Sequence, residues 1–250
     1  GRRAGGPVPG RRRMTAWAPR RFWTEVSVIG EADGYAVRLD ARPVRTPAKA
    51  PLLLPTRALA EAIAAEWLAQ TAAIDTRTMP LTRAANSAID KVTPQFDEVV
   101  GLVAAYGASD LICYRAAGPA ALTGRQAAVW DPLLGWAADA IGARLTVTTG
   151  VAPVPQPRSA TDRLTARVAA QTPFALTALS DLTALSGSLV IGLAAQAGRW
   201  SPADLWSASR IDEEWQAGQW GRDDEADAVA EAKRRDFLQA HLFWQLSSSA

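Results

Sequence analysis

The sequence is poor in the side chains that most chemistry requires. A single cysteine, Cys113, excludes an internal disulfide and any multi-cysteine metal site. A single histidine, His241, excludes a multi-histidine zinc centre. Only three of the 27 basic residues are lysines, Lys49, Lys91 and Lys233. No G-x-x-x-x-G-K-[ST] loop is present, and no G-x-G-x-x-G follows a strand pattern. Gly187 to Gly192 lacks a lysine and lies inside a helical pattern, where helix packing explains it better. ATP use therefore has no support in the sequence. Long apolar runs are also missing. The best candidate, Leu182 to Gly198, is diluted by Thr, Ser, Gln and Gly and bounded by Asp181 and Arg199, so it reads as a buried helix.

Charge is unevenly spread. The net charge is +2, yet Gly1 to Arg21 holds Arg2, Arg3, Arg11, Arg12, Arg13, Arg20 and Arg21 and no acid. Removing those seven leaves the remainder at −5 (2 − 7), an acidic body behind a basic start. Nucleic-acid binding needs basic residues on the folded body with aromatics between them, so a nucleic-acid partner is not expected. Gly1–Arg13 is Arg-rich and acid-free like a transit peptide, but has no apolar segment of the secretory kind. With Met14 as the natural start, residues 1–13 read as a disordered tail or expression remnant outside the fold.

What is present is an ordinary globular composition, 48% hydrophobic and 21% charged over 250 residues, enough for one large or two ordinary domains. Ten tryptophans against three tyrosines and five phenylalanines is a skewed aromatic choice. Indole suits core edges and interfaces, where its N–H finds a partner.

The period is two from Trp23 to Leu54, with Val26 and Val28, then Tyr35, Val37 and Leu39, alternating with polar neighbours. Asp33-Gly34 marks a hairpin, Ala41-Arg42-Pro43 a second turn, and Val44–Thr46 and Leu52–Leu54 two further short strands. Thr56 caps a helix carrying Leu59, Ile63, Trp67 and Gln70, and Met79-Pro80 breaks the chain before a second helical stretch to Val92. Residues 14–92 are expected to form an α+β domain with a small antiparallel sheet. Residues 93–250 are expected to form a mainly α-helical orthogonal bundle. In it, Thr93-Pro94, Thr172-Pro173 and Ser201-Pro202 each read as an N-cap followed by proline at the first helical position. Gly107 reads as the end of the helix that Thr93 starts. Ser109 to Arg115 is a strand or a buried turn. Asp131-Pro132 must kink or split the helix Thr123–Ile141, which Gly142 ends. Arg144 to Thr149 alternates like one strand, and Ser159 with Asp162 resembles a capping box. The last helices are expected over 159–171, 173–197, 202–219 and 223–246.

The stretch Ile211 to Gly221 stands apart. It holds Glu213, Glu214, Trp215, Gln216 and Trp220, and opens an acidic run (Asp212, Glu213, Glu214, Asp223, Asp224, Glu225, Asp227, Glu231) interrupted by Arg222 alone. Adjacent glutamates on a helix point about 100° apart and do not share a substrate. On composition alone a solvated helix face is the plainer reading, with Arg210 pairing to Glu214. Flanking Trp206, Trp215 and Trp220 make a partner surface competitive, because aromatics anchor and carboxylates select a basic partner. Trp67 carries the same two readings, core packing or partner contact. Cys113 with His241 supplies a nucleophile and base in principle, in an enzyme with an interdomain cleft. Cys113 lies in an apolar run and His241 beside Leu242, Phe243 and Trp244, which favours burial of both.

An ordered set of segments resembles a known family. It comprises Gly34-Tyr35-Ala36-Val37-Arg38-Leu39-Asp40 with Pro43-Val44-Arg45-Thr46-Pro47, Glu66-Trp67 with Gln70, and Thr78-Met79-Pro80-Leu81-Thr82 with Asn86. Further along come Asp110-Leu111-Ile112-Cys113-Tyr114-Arg115, Trp130-Asp131-Pro132-Leu133, and Glu213-Glu214-Trp215-Gln216 with Trp220-Gly221. From about Phe22 to Leu246 the chain is similar to the Atp12-type assembly chaperones, which hold the free alpha subunit of the F-type ATP synthase. The resemblance implies a two-domain, non-catalytic chaperone that uses no ATP and no cofactor, a monomer when free. It implies a bacterial cytoplasmic location, or the mitochondrial matrix in a eukaryote, without membrane insertion. It places partner binding at Glu213, Glu214 and Trp67, and the aromatic, acidic character of the same stretch adds Trp215, Gln216 and Trp220 as expected partner-binding residues. Leu68 departs from the Asp expected after that tryptophan.

Overall fold

The alternating segment near the start forms a sheet. The structure, a computed structural model, describes residues 20–248. The basic stretch 1–13 and Met14 lie outside the described residues. Strand β1 (Val26–Glu31) pairs antiparallel with β2 (Gly34–Leu39), Val28 opposite Val37. Gly34 has φ 150°, and a Cβ there would run into the Leu54 carbonyl, so only glycine fits the hairpin. Strands β3 (Arg42–Pro43) and β4 (Leu53–Leu54) both pair with β2. Pairing thus falls at Arg42–Pro43, where a turn was expected, and Val44–Thr46 runs on only through single bonds such as Val44 N–H to Val37 O (2.9 Å). At the turn after β2, Asp40 takes φ 51°. Its carboxylate accepts from the Thr24 and Glu25 amides at 3.0 and 2.9 Å. Those bonds, Glu25 foremost, lower its carboxyl below the ordinary value.

Helix α1 (Arg57–Leu68) covers the sheet, and Thr56 caps it by accepting from the Leu59 amide. Trp23, Val37, Leu54, Leu59 and Ile63 form the core between them. Helix α2 (Pro80–Ser87) begins on proline and continues as a wider turn through Ala88–Val92. Thr93 does not cap the next helix. Its amide and hydroxyl both donate to the Ala88 carbonyl, at 2.9 and 2.7 Å, closing the wide turn, and helix α3 (Phe96–Ala104) starts three residues later. Gly107 lies within a tight turn after α3, where a Cβ would meet Leu164 Cδ1 at 2.8 Å, so it serves packing and does not end the helix.

Ser109 to Arg115 folds as a buried turn over Leu111–Cys113 and a two-residue strand β5 (Tyr114–Arg115). Its parallel partner β6 is only Thr148–Thr149, much shorter than the alternation from Arg144 suggested. Helix α4 (Ala120–Trp136) runs through Pro132 unbroken, and a wide turn extends it to Ile141. Both Pro132 and Ala128, whose carbonyl loses its donor, lie outside the core, so water can satisfy the vacancy. Gly142 then ends the helix at φ 78°.

Helix α5 (Arg158–Ala169) starts after Pro157 without a side-chain cap, since Asp162 pairs instead with Arg158 at 3.7 Å. The apolar run splits into α6 (Pro173–Ser186) and α7 (Leu189–Ala197). Gly187 at φ 73° closes the first and Ser188 caps the second by accepting from the Ile191 amide at 3.0 Å. Leu189 to Gln196 are all buried, so α7 is the central helix of the bundle. The segment after Ser201 also splits, into α8 (Pro202–Ser209) and α9 (Ile211–Trp220), and α10 (Asp224–Ser248) closes the chain. The fold is thus α+β, a small antiparallel sheet with ten α-helices among the described residues. Phe243 of α10 and Ala178 of α6 pack into the same core as the sheet, and Thr56 Oγ1 donates to the Leu246 carbonyl.

Candidate partner-binding surface

The acidic, Trp-bearing stretch is built on α8, α9 and α10. Ser201 caps α8 by accepting from the Asp204 amide at 3.1 Å. At Arg210 the backbone leaves the helical region (φ −113°, ψ 13°), which turns the chain into α9. Ile211 is buried, and the root of α9 is tied to α4. Trp130 Nε1 donates to the Ala208 carbonyl at 2.8 Å, and Gln126 Nε2 donates to Asp212 Oδ1 at 2.6 Å. From Asp212 to Asp236 no residue is buried, and the next is Phe237. The end of α9 and the first three turns of α10 therefore make a surface ridge with a fully buried residue only at its two ends and with Trp215 packed partly against the core between them.

On that ridge Glu213, Glu214 and Gln216 are exposed and Trp215 half-buries against the helical core. Trp220, at the end of α9, is 88% exposed. A tryptophan this open sits at the surface without a fold-level reason and is a natural anchor. The carboxylates are not bare. Arg210 pairs with Glu213 at 2.7 Å, not with Glu214 as helical spacing suggested. Glu214 is held instead by Arg222 at 2.8 Å, and Arg222 also reaches Asp227 at 3.1 Å. Arg234 pairs with Glu231 at 3.4 Å, and Asp223 caps α10 through the Ala226 amide. Asp224 and Glu225 remain without a side-chain hydrogen bond or ion pair among the described residues. Between α8, α9 and α10 runs a groove of about 510 Å³ floored by Trp206.

Trp67 lies elsewhere. It packs edge-on to Trp23 (5.4 Å, 66°) in the sheet-side core, half-buried, with its Nε1 enclosed and without an acceptor. Its neighbours in sequence act on the chain itself. Glu66 accepts from the Leu81 amide, the Thr82 amide and the Thr82 hydroxyl at 2.8, 2.8 and 2.7 Å, holding the start of α2. Burial outweighs these bonds and raises the Glu66 carboxyl. Gln70 donates to the Glu66 carbonyl and to Thr78 Oγ1 and accepts from the Asp75 amide, pinning the α1–α2 connection. Phe22 and Leu68 are exposed near this pair of indoles, at 60% and 54%.

Cys113 is fully buried, and burial, aided by the charge of Asp110, pushes its thiol up to about 12, so it stays protonated at neutral pH. Burial lowers the imidazole of His241, which bonds to the Ala195 backbone. Asp110 and Arg115 are the charged groups that act on Cys113. No cluster of three or more ligating side chains able to hold a metal occurs among the described residues. No described helix is long and apolar enough to cross a membrane.

Asp110 carries a structural role that spacing does not announce. It is completely buried and accepts from the Val190 and Ile112 amides at 3.0 and 3.3 Å, fastening the N-terminus of α7 to the turn before β5. The only sequence signal is an acid opening an apolar run.

The family model for the ATP12 chaperone protein matches residues 20–138. The crystal structure of Atp12 from Paracoccus denitrificans is 52% identical, with TM-score 0.89, covering 91% of this chain and 98% of that one. This chain belongs to the ATP12 chaperone family. A point mutant of P. denitrificans Atp12p matches at 51% identity and TM-score 0.89, over 91% of this chain and 97% of that chain. A putative chaperone from Agrobacterium tumefaciens matches at 38% identity and TM-score 0.86, over 92% of this chain and 87% of that chain. The solved ATP12 structures thus extend the likeness well past residue 138, over about nine-tenths of the chain.

Proposed function

We propose that this ATP12-family chaperone serves ATP synthase assembly by holding the unassembled alpha subunit of the F-type head, one to one and without ATP. Identity above 50% to Atp12 of P. denitrificans along nine-tenths of the chain carries the reading. The ridge of α9 and α10 is the gripping surface, with Trp220 as anchor and Glu213, Glu214, Trp215 and Gln216 beside it. Trp67, in the sheet-side core, supports a second contact through the exposed Phe22 and Leu68 around it. A subunit awaiting its neighbours exposes large apolar faces that aggregate. A holder with an aromatic and charged surface covers such a face and is displaced by the tighter-binding true neighbour, by mass action alone. The holder is a monomer when free, in the bacterial cytoplasm or the mitochondrial matrix.

The test is co-expression of both proteins. Recovery of the alpha subunit in a soluble one-to-one complex is expected, with unchanged yield when nucleotide is depleted. Alpha subunit that aggregates equally with and without this chain would overturn the reading. Charge reversal at Glu213 and Glu214 together should weaken the complex while circular dichroism of the free chaperone stays the same.

A further inference from the structure

We propose that the aromatic cleft at the far end of α10, bounded by Arg199, Trp200, His241 and Trp244, docks an acidic segment of the held subunit that inserts one tyrosine or tryptophan side chain. The inference adds a contact of opposite charge to the reading above and rests on it.

The cleft, about 570 Å³, lies where the turn after α7 meets the last turns of α10. Gly198, at φ 67°, ends α7 and hands the chain to Arg199 and Trp200. Trp200 and Trp244 are half-buried and give the cleft indole walls. His241, 6% exposed, lies between them and the core. One ring N–H donates to the Ala195 carbonyl, and burial lowers the imidazole from 6.5, so it is neutral at pH 7. The other ring nitrogen is then an acceptor, has no partner among the described residues and is not sealed from the cleft. A recessed acceptor in an aromatic cleft calls for a hydrogen-bond donor on an apolar body, which tyrosine and tryptophan supply.

The charge around the cleft selects the rest of the segment. A second groove, about 490 Å³, is lined by Trp136, whose ring meets Trp200 edge-on at 5.9 Å, so the two grooves adjoin. No acid lines either groove among the described residues. Arg199 at the first, and Arg163 and Arg167 at the second, are exposed and make no ion pair among the described residues. The Arg199 guanidinium lies over the Trp200 ring at 5.4 Å, which keeps it at the mouth of the cleft. On a body whose acids outnumber its bases, three uncompensated guanidiniums along an aromatic strip make a face whose complement carries carboxylates. The cations are spread over two grooves, which suits a polypeptide segment; a free anion would need them converged. At 1.5 Å per residue from Glu225 to His241 along α10, this basic face stands about 25 Å from the acidic ridge, so one partner can meet both.

The experiment titrates purified alpha subunit into wild type, Arg199→Glu, Arg199→Lys and the double variant Arg163→Glu/Arg167→Glu, with circular dichroism of each free protein. In parallel, a benzoylphenylalanine photo-crosslinker in place of Trp200 is irradiated in the complex and the crosslink is mapped by mass spectrometry. Each charge reversal should loosen binding about three- to tenfold, while Arg199→Lys stays near wild type. The crosslink should fall on an alpha-subunit segment in which Asp or Glu flanks a tyrosine or tryptophan. A crosslink to a second copy of this chain, or to a segment without acids, overturns the docking. Displacement of the alpha subunit by free ATP or inorganic phosphate from wild type but not from Arg199→Glu marks a small-anion site and overturns it as well. Failure of wild type to bind overturns the proposed function and this contact with it, whereas wild-type binding that both charge reversals leave unchanged overturns the contact alone.

Discussion

Gln126 of α4 joins two distant segments through one side-chain amide. Its Nε2 donates to Asp212 Oδ1 at 2.6 Å while its Oε1 accepts from the Ala116 amide at 2.9 Å. Gln126 is fully buried, while Ala116 and Asp212 are partly exposed, so the amide reaches from the core to two partners at its edge. Gln126→Leu should lower stability by about 1–3 kcal/mol, since the Ala116 amide is left without an acceptor. It should also loosen the root of α9. Denaturant unfolding reads the first effect. Faster hydrogen exchange over 211–220, without a change over 237–245, reads the second.

Glu66 holds the start of α2 through three donors that are otherwise shut away from water. Leu81 and Thr82 are 6% and 5% exposed. Glu66→Ala should cost about 1–3 kcal/mol, seen as a lower thermal midpoint. The adjacent Trp67–Trp23 pair makes tryptophan fluorescence a local reporter of the same loss.

Asp110 links stability to pH. Burial pushes its carboxyl up from 3.8 to about 6, against hydrogen bonds from Ser188, Val190, Ile112 and Leu189 that favour the ionised form. Between about pH 4 and 6 the folded chain keeps a proton that the unfolded chain has released. Its contribution is complete below about pH 4 and is lost as pH rises through about 6, roughly 3 kcal/mol in all. Asp110→Asn, which does not titrate, should flatten that decline. Urea midpoints measured from about pH 4 to about pH 7 on both proteins check it.

The close approach of α6 and α7 depends on Gly192. A Cβ there would lie 2.7 Å from Thr183 Oγ1 and 3.1 Å from Leu179 Cδ1. Gly192→Ala should cost about 1–3 kcal/mol by overpacking. Thr183 Oγ1 is buried without a hydrogen-bond partner, so Thr183→Ala in the same chain removes the obstruction and orphans nothing. Partial recovery of the urea midpoint in the double variant is the expected result.

Local signals carry well where local physics decides. Thr56, Thr172 and Ser201 cap their helices as their spacing predicts, because a cap is a contact between residues three apart. The β1–β2 hairpin forms at Asp33-Gly34 for the same reason. Thr93 has the same residue types and does something else, since its hydroxyl is taken by the wide turn before it. Pro132 reads as a break and is not one, because the carbonyl it deprives lies outside the core. The α6–α7 and α8–α9 junctions are hidden inside continuous apolar or amphipathic runs. The Gly187 carbonyl is held by the Leu111 amide and Ser188 by its own cap, and nothing in the run itself announces that long-range support.

Composition and spacing by themselves determined the α+β class, the lack of cofactor motifs and the presence of an acidic, tryptophan-bearing stretch near Ile211, because periodicity and residue chemistry are local properties. Tertiary structure alone decided which of those acids are free. It paired Glu213 with Arg210 and Glu214 with Arg222, left Trp220 open and set Trp67 in another core. Charge pairing and exposure depend on which helices come side by side, and that is settled by burial of Ile211 and Phe237 at the two ends of the ridge, residues that say nothing about the carboxylates between them.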